Sequence, residues 1–362
     1  MVKAVVVDQP GGTPTVREVS LRTVGAGDVR VRIAAAGVCH SDLSLVNGTL
    51  TPQFPVIMGH EASGVVAEVG ADVTHITVGT HVVLNWATPC RACWFCKQDE
   101  PWLCSAVEGK VTADTGIRDG DETIYAALGV GAFAEEVVVP ATDVVPIPDG
   151  IAFDVAALMG CAVLTGVGAV QNTGQVKPGE SVLVIGLGGI GLSAVLGAKL
   201  SGANPIIAVD LSPEKEALAR KAGATDFILS DPKISRQIRA LTEGRGVDHA
   251  FECVGHPATI RMAYGATRRG GQTTIVGVGS KDQEVVFNPL ELFHFSRTLT
   301  SSIYGESDPE QDIPKLVEHL QDGNLDLDLL ITHRVTIDGV PEAFARMASG
   351  EGARSVIELD LG

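Results

Sequence analysis

Aromatic residues are scarce in this chain: three tryptophans, three tyrosines and ten phenylalanines, 4% of 362 residues. The hydrophobic content of 45% therefore falls to aliphatic side chains, and with 42 glycines the sequence reads as a globular protein with aliphatic cores and many tight turns. Positive charge is also in short supply, with 27 Lys and Arg against 44 Asp and Glu and a formal charge of −17. Nucleic acids and anionic membranes are recognised by concentrated Lys and Arg, so neither is an expected partner and small molecules are the expected ligands. The opening MVKAVVVDQPGG lacks the positive region, apolar core and cleavage site of a secretory signal, which makes the cytoplasm the expected compartment. Unbroken membrane-length runs are missing too. Residues 151–170 carry Asp154, Cys161 and three glycines, and residues 181–200 are broken by Gly186, Gly188, Gly189 and Gly191, so both read as core segments rather than spans.

What is present divides the chain by rhythm. Up to about residue 150, Val-rich segments at 29–33, 64–69, 81–84 and 136–139 alternate with Gly and Pro, as in a compact β region. From Ser181 the strand-like strings SVLVIG, PIIAVD, DFIL, DHAFECVG and QTTIVGV are separated by helical stretches such as 213–222 and 257–267. That alternation predicts right-handed βαβ units and a parallel sheet. The tail predicts a polar helix at 309–322, an amphipathic helix at 340–349 and a last strand at 355–359. The simplest organisation is a β-rich domain, an inserted nucleotide-type α/β domain and a tail that returns to the first.

Four of the seven cysteines fall between residues 90 and 104, as Cys90, Cys93, Cys96 and Cys104 in the spacing C-x2-C-x2-C-x7-C. Two-residue gaps let successive thiolates turn back onto one centre, and four thiolates close a tetrahedral zinc shell with no place for water. Such a site is structural. An iron–sulfur cluster is the nearest rival, and a disulfide is disfavoured in a reducing compartment. Of the other cysteines, Cys253 reads as a small buried hydrophobe. Cys39, His60 and Cys161 offer the two-cysteine, one-histidine set of an open catalytic zinc, although by spacing alone the two cysteines could equally be core residues.

The strings GVCHSD, GHEASGVVAEVG, the four-cysteine segment and GCAVLTGVGAV occur in that order. Over nearly its whole length the chain thereby resembles the zinc-dependent medium-chain alcohol dehydrogenase family. The resemblance implies an α/β protein made of a β-rich GroES-like catalytic domain and a Rossmann domain, the latter a doubly wound parallel sheet that binds NAD. The first would span residues 1–165 and 304–362, with a structural zinc lobe at about 88–106, and the second residues 166–303. It also implies two zinc ions per chain, the catalytic one on Cys39, His60 and Cys161. Asp42 would orient the ligating histidine, and Glu61 would lie just behind the metal.

Gly186-x-Gly188-x-x-Gly191 follows an apolar strand and opens a helix, and Asp210 closes the next strand 24 positions after Gly186. Glycines admit the pyrophosphate to the helix N-terminus, and the acid accepts from ribose hydroxyls. The same acid repels a 2′-phosphate, and the following LSPEK has no Arg to offset it, so NAD is the expected cofactor rather than NADP. By resemblance Lys215 also reaches the ribose, Arg354 and His40 lie near the pyrophosphate, and Thr165, Ile190, Val276 and Val278 shape the nicotinamide site. For the last three, ordinary core packing is an equal reading.

The implied chemistry is hydride transfer from an alcohol carbon to nicotinamide, with a Lewis-acid metal easing loss of the hydroxyl proton. Ser41 matches the hydroxyl that passes this proton on. Many relatives end the relay on a histidine where this chain has Ser44, which leaves water or His40 as the terminus. Leu50, Trp86, Ala127, Leu128 and Ile303 match the lining of an apolar substrate channel. The strings ALGVGAFAE, QNTG and SSIYGESDPE resemble a branch that includes mycothiol-dependent formaldehyde dehydrogenases, the alternative activity. Glu108 stands where the glutathione-dependent branch carries an Arg for the adduct's carboxylate. A non-catalytic nucleotide-binding relative is the alternative of another class. A homodimer is expected from the family, with a homotetramer the second choice.

Overall fold

The computed structural model describes residues 1–361 except Thr51, Val111, Pro232 and Lys233. The chain forms two compact units, one of Met1–Ala162, Asp308–Asp322 and Ile331–Gly362, the other of Val163–Ser307 and Gly323–Leu330. No single helix among the described residues is long and apolar enough to cross a membrane. The apolar stretch 151–170 breaks near Gly160 into the short helices Phe153–Met159 and Ala162–Gly168.

The spine of the first unit is the strand Asp28–Val38, in which Val29, Val31 and Ile33 alternate inward and are buried. It pairs antiparallel with Glu61–Val69, Glu136–Pro140 and Arg354–Glu358. His81–Leu84, Val144–Pro146 and Ile331–Val335 complete a seven-stranded sheet. A five-stranded sheet of Val2–Val7, Thr15–Val19, Val56–Ile57, Ile117–Asp119 and Glu122–Ala126 belongs to the same unit. The two share one core that includes Val5, Val31, Ile33, Leu45, Met58 and Phe133. Two strand registers matter most for function: Gly37 pairs with Glu61, and Val38 pairs with Ser355. The ends of three strands therefore meet at Cys39, His60 and Arg354. Gly37 is required there, since a Cβ would lie 2.9 Å from the Glu61 carboxyl carbon.

The second unit holds six parallel strands, in chain order Val182–Ile185, Ile206–Asp210, Asp226–Leu229, Val247–Glu252, Thr267–Ile275 and Thr298–Ser301, arranged spatially as 3-2-1-4-5-6. This is the doubly wound order of dinucleotide-binding sheets, with the first strand at the switch point. Continuous apolar strands such as Val182–Ile185, wholly buried, are what a sheet covered on both faces demands. The sixth strand, TLTS at the sheet edge, and the return of Gly323–Leu330 to this unit lie outside the sequence pattern. Cys253 is half-buried, and burial raises its thiol well above the usual range.

At the base of the sheet Asp248 joins two strands. Its Oδ2 accepts from Ser181 N at 2.8 Å and Ser181 Oγ at 2.6 Å, and its Oδ1 from Arg268 Nε at 2.5 Å. Burial alone would raise its pKa, but the Ser181 and Arg268 bonds bring it down to about 2 from 3.8. A depressed carboxyl contributes stability above its unfolded pKa that disappears as pH falls through the folded one. Asp248→Asn is therefore expected to cost about 2 kcal/mol near neutral pH, with the difference from the parent shrinking between pH 3.8 and about 2; denaturant midpoints across that range check it.

Candidate active site

In the first unit the ligand atoms of Cys39, His60 and Cys161 lie within 4.8 Å of one another, and all three residues are buried. Asp42 assembles them. It occupies the first turn of the helix His40–Val46, where its Oδ2 accepts from Cys39 N at 2.9 Å. Its Oδ1 is 3.2 Å from Gly59 N and 3.1 Å from His60 Nδ1. One buried carboxylate thus links the segment that carries Cys39 to the one that carries His60. Gly59 permits this turn: its φ is +91°, and a Cβ would lie 2.3 Å from the Phe133 ring.

With Nδ1 engaged by Asp42, His60 Nε2 is the nitrogen left for a ligand, and it is buried with no hydrogen-bond partner. An orphaned imidazole nitrogen beside two thiols is unfavourable by itself and suited to a divalent metal, so the residues fit an open zinc site. Arg354 is 4% exposed and donates to Val38 O at 3.1 Å and to Cys39 Sγ at 3.5 Å, with Glu61 Oε2 3.7 Å away. Glu61 Oε1 accepts from Ala162 N at 3.2 Å, which ties the residue after Cys161 to the residue after His60.

The electrostatics match this arrangement. The hydrogen bond from the Cys161 thiol, aided by the charges of Arg354 and His60, lowers the Cys39 pKa against the opposing effect of burial. Cys161 is raised by that bond and by burial. Burial works against a charged His60, but Asp42 and Cys39 together raise it, so a metal entering the site would take the place of a proton on Nε2. Burial lifts Glu61 to about 7.

Cys90, Cys93, Cys96 and Cys104 form the second cluster, again with ligand atoms within 4.8 Å of one another. Cys93 Sγ is 3.5 Å from Cys96 Sγ and 3.9 Å from Cys104 Sγ. A tetrahedral shell with Zn–S bonds of about 2.3 Å spaces its sulfurs about 3.8 Å apart. Backbone N–H groups of Cys90 and Cys93 point at neighbouring sulfurs at 3.2 and 3.3 Å, as suits thiolates. The four residues fit a closed zinc site.

In the second unit the glycine loop follows the strand Val182–Ile185. Gly186 has φ +88°, and a Cβ on Gly191 would stand 1.7 Å from Gly186 O, so only glycine closes this turn. Asp210 accepts from Leu187 N at 2.7 Å and Ser212 N at 2.9 Å. Lys215 is 5% exposed, and burial lowers its pKa against the pull of Asp210. Gly166 packs so closely that a Cβ would meet Ile190 O at 2.5 Å, which brings the helix of Thr165 against the helix Gly189–Leu200. Thr165 and Val276 are buried, Ile190 is half-buried, and Val278 is 54% exposed, so core packing does not account for Val278.

The remaining candidates fall at separate places. Ser41 Oγ is 3.8 Å from Cys39 Sγ, and His40 is exposed. Ser44 is buried. The Trp86 ring stands edge-on to His60 at 6.3 Å. Leu50 and Trp86 pack against the first unit's core, Ala127 is buried in it and Leu128 is half-buried, whereas Ile303 belongs to the second unit and is 53% exposed. Sequence reasoning missed Gly37, Gly59 and the Arg354–Cys39 bond. The two glycines stand beside named motif residues, but only the folded chain reveals what their missing Cβ avoids.

Comparison with known proteins gives the family. Residues 25–149 match the alcohol dehydrogenase GroES-like domain and residues 189–322 the zinc-binding dehydrogenase domain. The chain is 36% identical over 366 residues to S-(hydroxymethyl)glutathione dehydrogenase of Escherichia coli O1:K1 / APEC, covering 98% of this chain and 99% of that one. The chain belongs to the zinc-dependent medium-chain alcohol dehydrogenases. Among solved structures of the family, an alcohol dehydrogenase zinc-binding domain protein from Burkholderia ambifaria superposes with a TM-score of 0.93 at 30% identity, covering 99% of each chain. Benzyl alcohol dehydrogenase from Acinetobacter calcoaceticus gives 0.92 at 28% identity, with the same coverage. As a member, the chain is an oxidoreductase of CH–OH groups that works with zinc and a nicotinamide dinucleotide.

Two substitutions test the two sites separately. Asp42→Ala removes the anchor of His60 and is expected to weaken metal binding about 10- to 100-fold, read as zinc content falling from two ions per chain toward one. Gly191→Ala is expected to abolish NADH binding in a fluorescence titration while both zinc ions remain.

Proposed function

We propose that the chain transfers hydride reversibly between a primary or secondary alcohol and NAD. The observation that carries this reading is the buried cluster of Cys39, Cys161 and the orphaned His60 Nε2, held by Asp42. Zinc bound there would supply Lewis acidity that lowers the pKa of the substrate hydroxyl. The protein's own part is positional. Asp42 fixes the His60 tautomer, which leaves Nε2 free to ligate, and Arg354 offsets thiolate charge behind Cys39. The Ser41 hydroxyl takes the substrate's proton and passes it outward. Ser44 is buried and has no basic group, so the path ends on water or on the exposed His40.

Leu50, Trp86, Ala127 and Leu128 give the substrate side an apolar character suited to hydrocarbon-bearing alcohols. Asp210 favours NAD through the ribose hydroxyls, with Lys215 beside it. A second reading, oxidation of a thiol–formaldehyde adduct, draws support from the Escherichia coli relative's name. The exposed Glu108 disfavours the carboxylate-bearing glutathione adduct and leaves mycothiol as the thiol of that reading.

A homodimer in the cytoplasm completes the proposal, acting on small molecules without nucleic acid or membrane partners. The open edge strand Thr298–Ser301 and the helix Pro289–Phe295, with Leu290 70% and Phe293 82% exposed, supply an apolar face for a second copy.

NAD reduction is expected with aliphatic, allylic or benzylic alcohols and without added thiol; an absolute requirement for thiol plus formaldehyde would instead establish the second reading. Ser41→Ala is expected to lower kcat about 100-fold, and an unchanged turnover and pH profile would refute the relay.

A further inference from the structure

The chain first passes from the second unit back to the first between Ser307 and Asp308. Just before this crossing, three consecutive residues take left-handed backbone angles: Tyr304 at φ 53°, Gly305 at 69° and Glu306 at 47°. Two of them carry side chains, for which such angles are disfavoured and persist only where the surroundings hold them. On the upstream side the hold comes from Asn172, in the π-helical turn Ala169–Thr173. Its Nδ2 lies 3.0 Å from Gly305 O and 3.4 Å from both Glu306 O and Ser307 Oγ. The Thr173 and Ser302 hydroxyls share a hydrogen bond at 2.8 Å. The turn is packed hard against backbone as well, since a Cβ on Gly305 would stand 2.4 Å from Leu164 O and 2.9 Å from Thr165 O.

On the downstream side the hold comes from the four-cysteine lobe. Arg91, between Cys90 and Cys93, forks onto Asp308 with Nη1–Oδ2 at 2.5 Å and Nη2–Oδ1 at 2.8 Å, and Nη2 also reaches Glu310 Oε2 at 2.8 Å. Bidentate guanidinium–carboxylate pairs are the strong, orientation-fixing kind, and the Asp308 side chain is only 10% exposed. Arg91 itself sits at φ +58°, so the loop that carries two sulfurs also aims this fork.

We propose that Arg91 is a positioning residue: through its fork to Asp308, the zinc lobe fixes the downstream end of the left-handed turn. Ile303 immediately precedes this turn, and Thr165 lies in the backbone it packs against. The fork thereby bears, through the chain, on Ile303, the residue assigned to substrate.

The test is hydrogen exchange on the zinc-loaded enzyme, parent against Arg91→Ala, with Asp308→Asn as a second variant that leaves the lobe's own residues untouched. Exchange in peptides covering residues 302–312 is expected to quicken about tenfold in both variants, with two zinc ions per chain retained and peptides around Cys39 unchanged. KM for benzyl alcohol is expected to rise about tenfold with kcat and the KM for NAD little altered. Unchanged exchange over 302–312, loss of the lobe metal from Asp308→Asn, or an unmoved KM in a turning-over enzyme overturns the proposal. The kinetic arm rests on the dehydrogenase reading, whereas the exchange arm does not; an enzyme that oxidises no alcohol defeats that reading and leaves exchange to decide this one.

Discussion

The single carboxylate of Asp42 is the constraint on which the metal centre depends. Strand register alone brings Gly37 opposite Glu61, and so sets Cys39 near His60. Register does not set a side-chain direction, and a zinc shell needs its donors aimed. Asp42 supplies the aim by accepting from the backbone of Cys39, the backbone of Gly59 and the ring of His60 together. Three contacts engage both oxygens of one buried carboxyl, which is what makes an acid tolerable at 0% exposure. The two glycines serve the same end by subtraction: at Gly37 and Gly59 a methyl group would collide with Glu61 or Phe133.

Charge balance explains the neighbours. Two thiolates in one buried site repel, so without a cation only one is readily ionised, and the opposite shifts of Cys39 and Cys161 express this. A divalent ion held by Cys39, His60 and Cys161 would neutralise both. Glu61 and Arg354, each almost wholly buried and 3.7 Å apart, form a second compensating pair beside Cys39. A buried pair of this kind contributes little to stability and a good deal to arrangement. Its charges reach Cys39 through the guanidinium, whose Nη2 is 3.5 Å from the sulfur.

Much of this was legible in the residues. The glycine fingerprint carried its own strand and helix context, and the four-cysteine spacing specified a closed thiolate site. The parallel sheet was foreshadowed by strand strings that are apolar on both faces. The open site was different: Cys39, His60 and Cys161 are far apart in sequence, and the order of motifs carried what spacing could not. The sixth strand escaped because TLTS is short, largely exposed and at an edge, where burial imposes no pattern. The family resemblance puts Arg354 near the pyrophosphate; its contacts to Val38 and Cys39 arise from a strand pairing that no local signal encodes.

Asp210 occupies the end of its strand with both oxygens engaged, one by the amide of Leu187 inside the glycine loop and the other by that of Ser212. The side chain proposed to discriminate between phosphorylated and unphosphorylated ribose is also the latch of the glycine loop proposed to receive the pyrophosphate. Redesigning this scaffold toward the phosphorylated coenzyme is therefore not a matter of deleting an acid: whatever replaces it has to accept from the same two amides, or the loop loses its shape together with its selectivity.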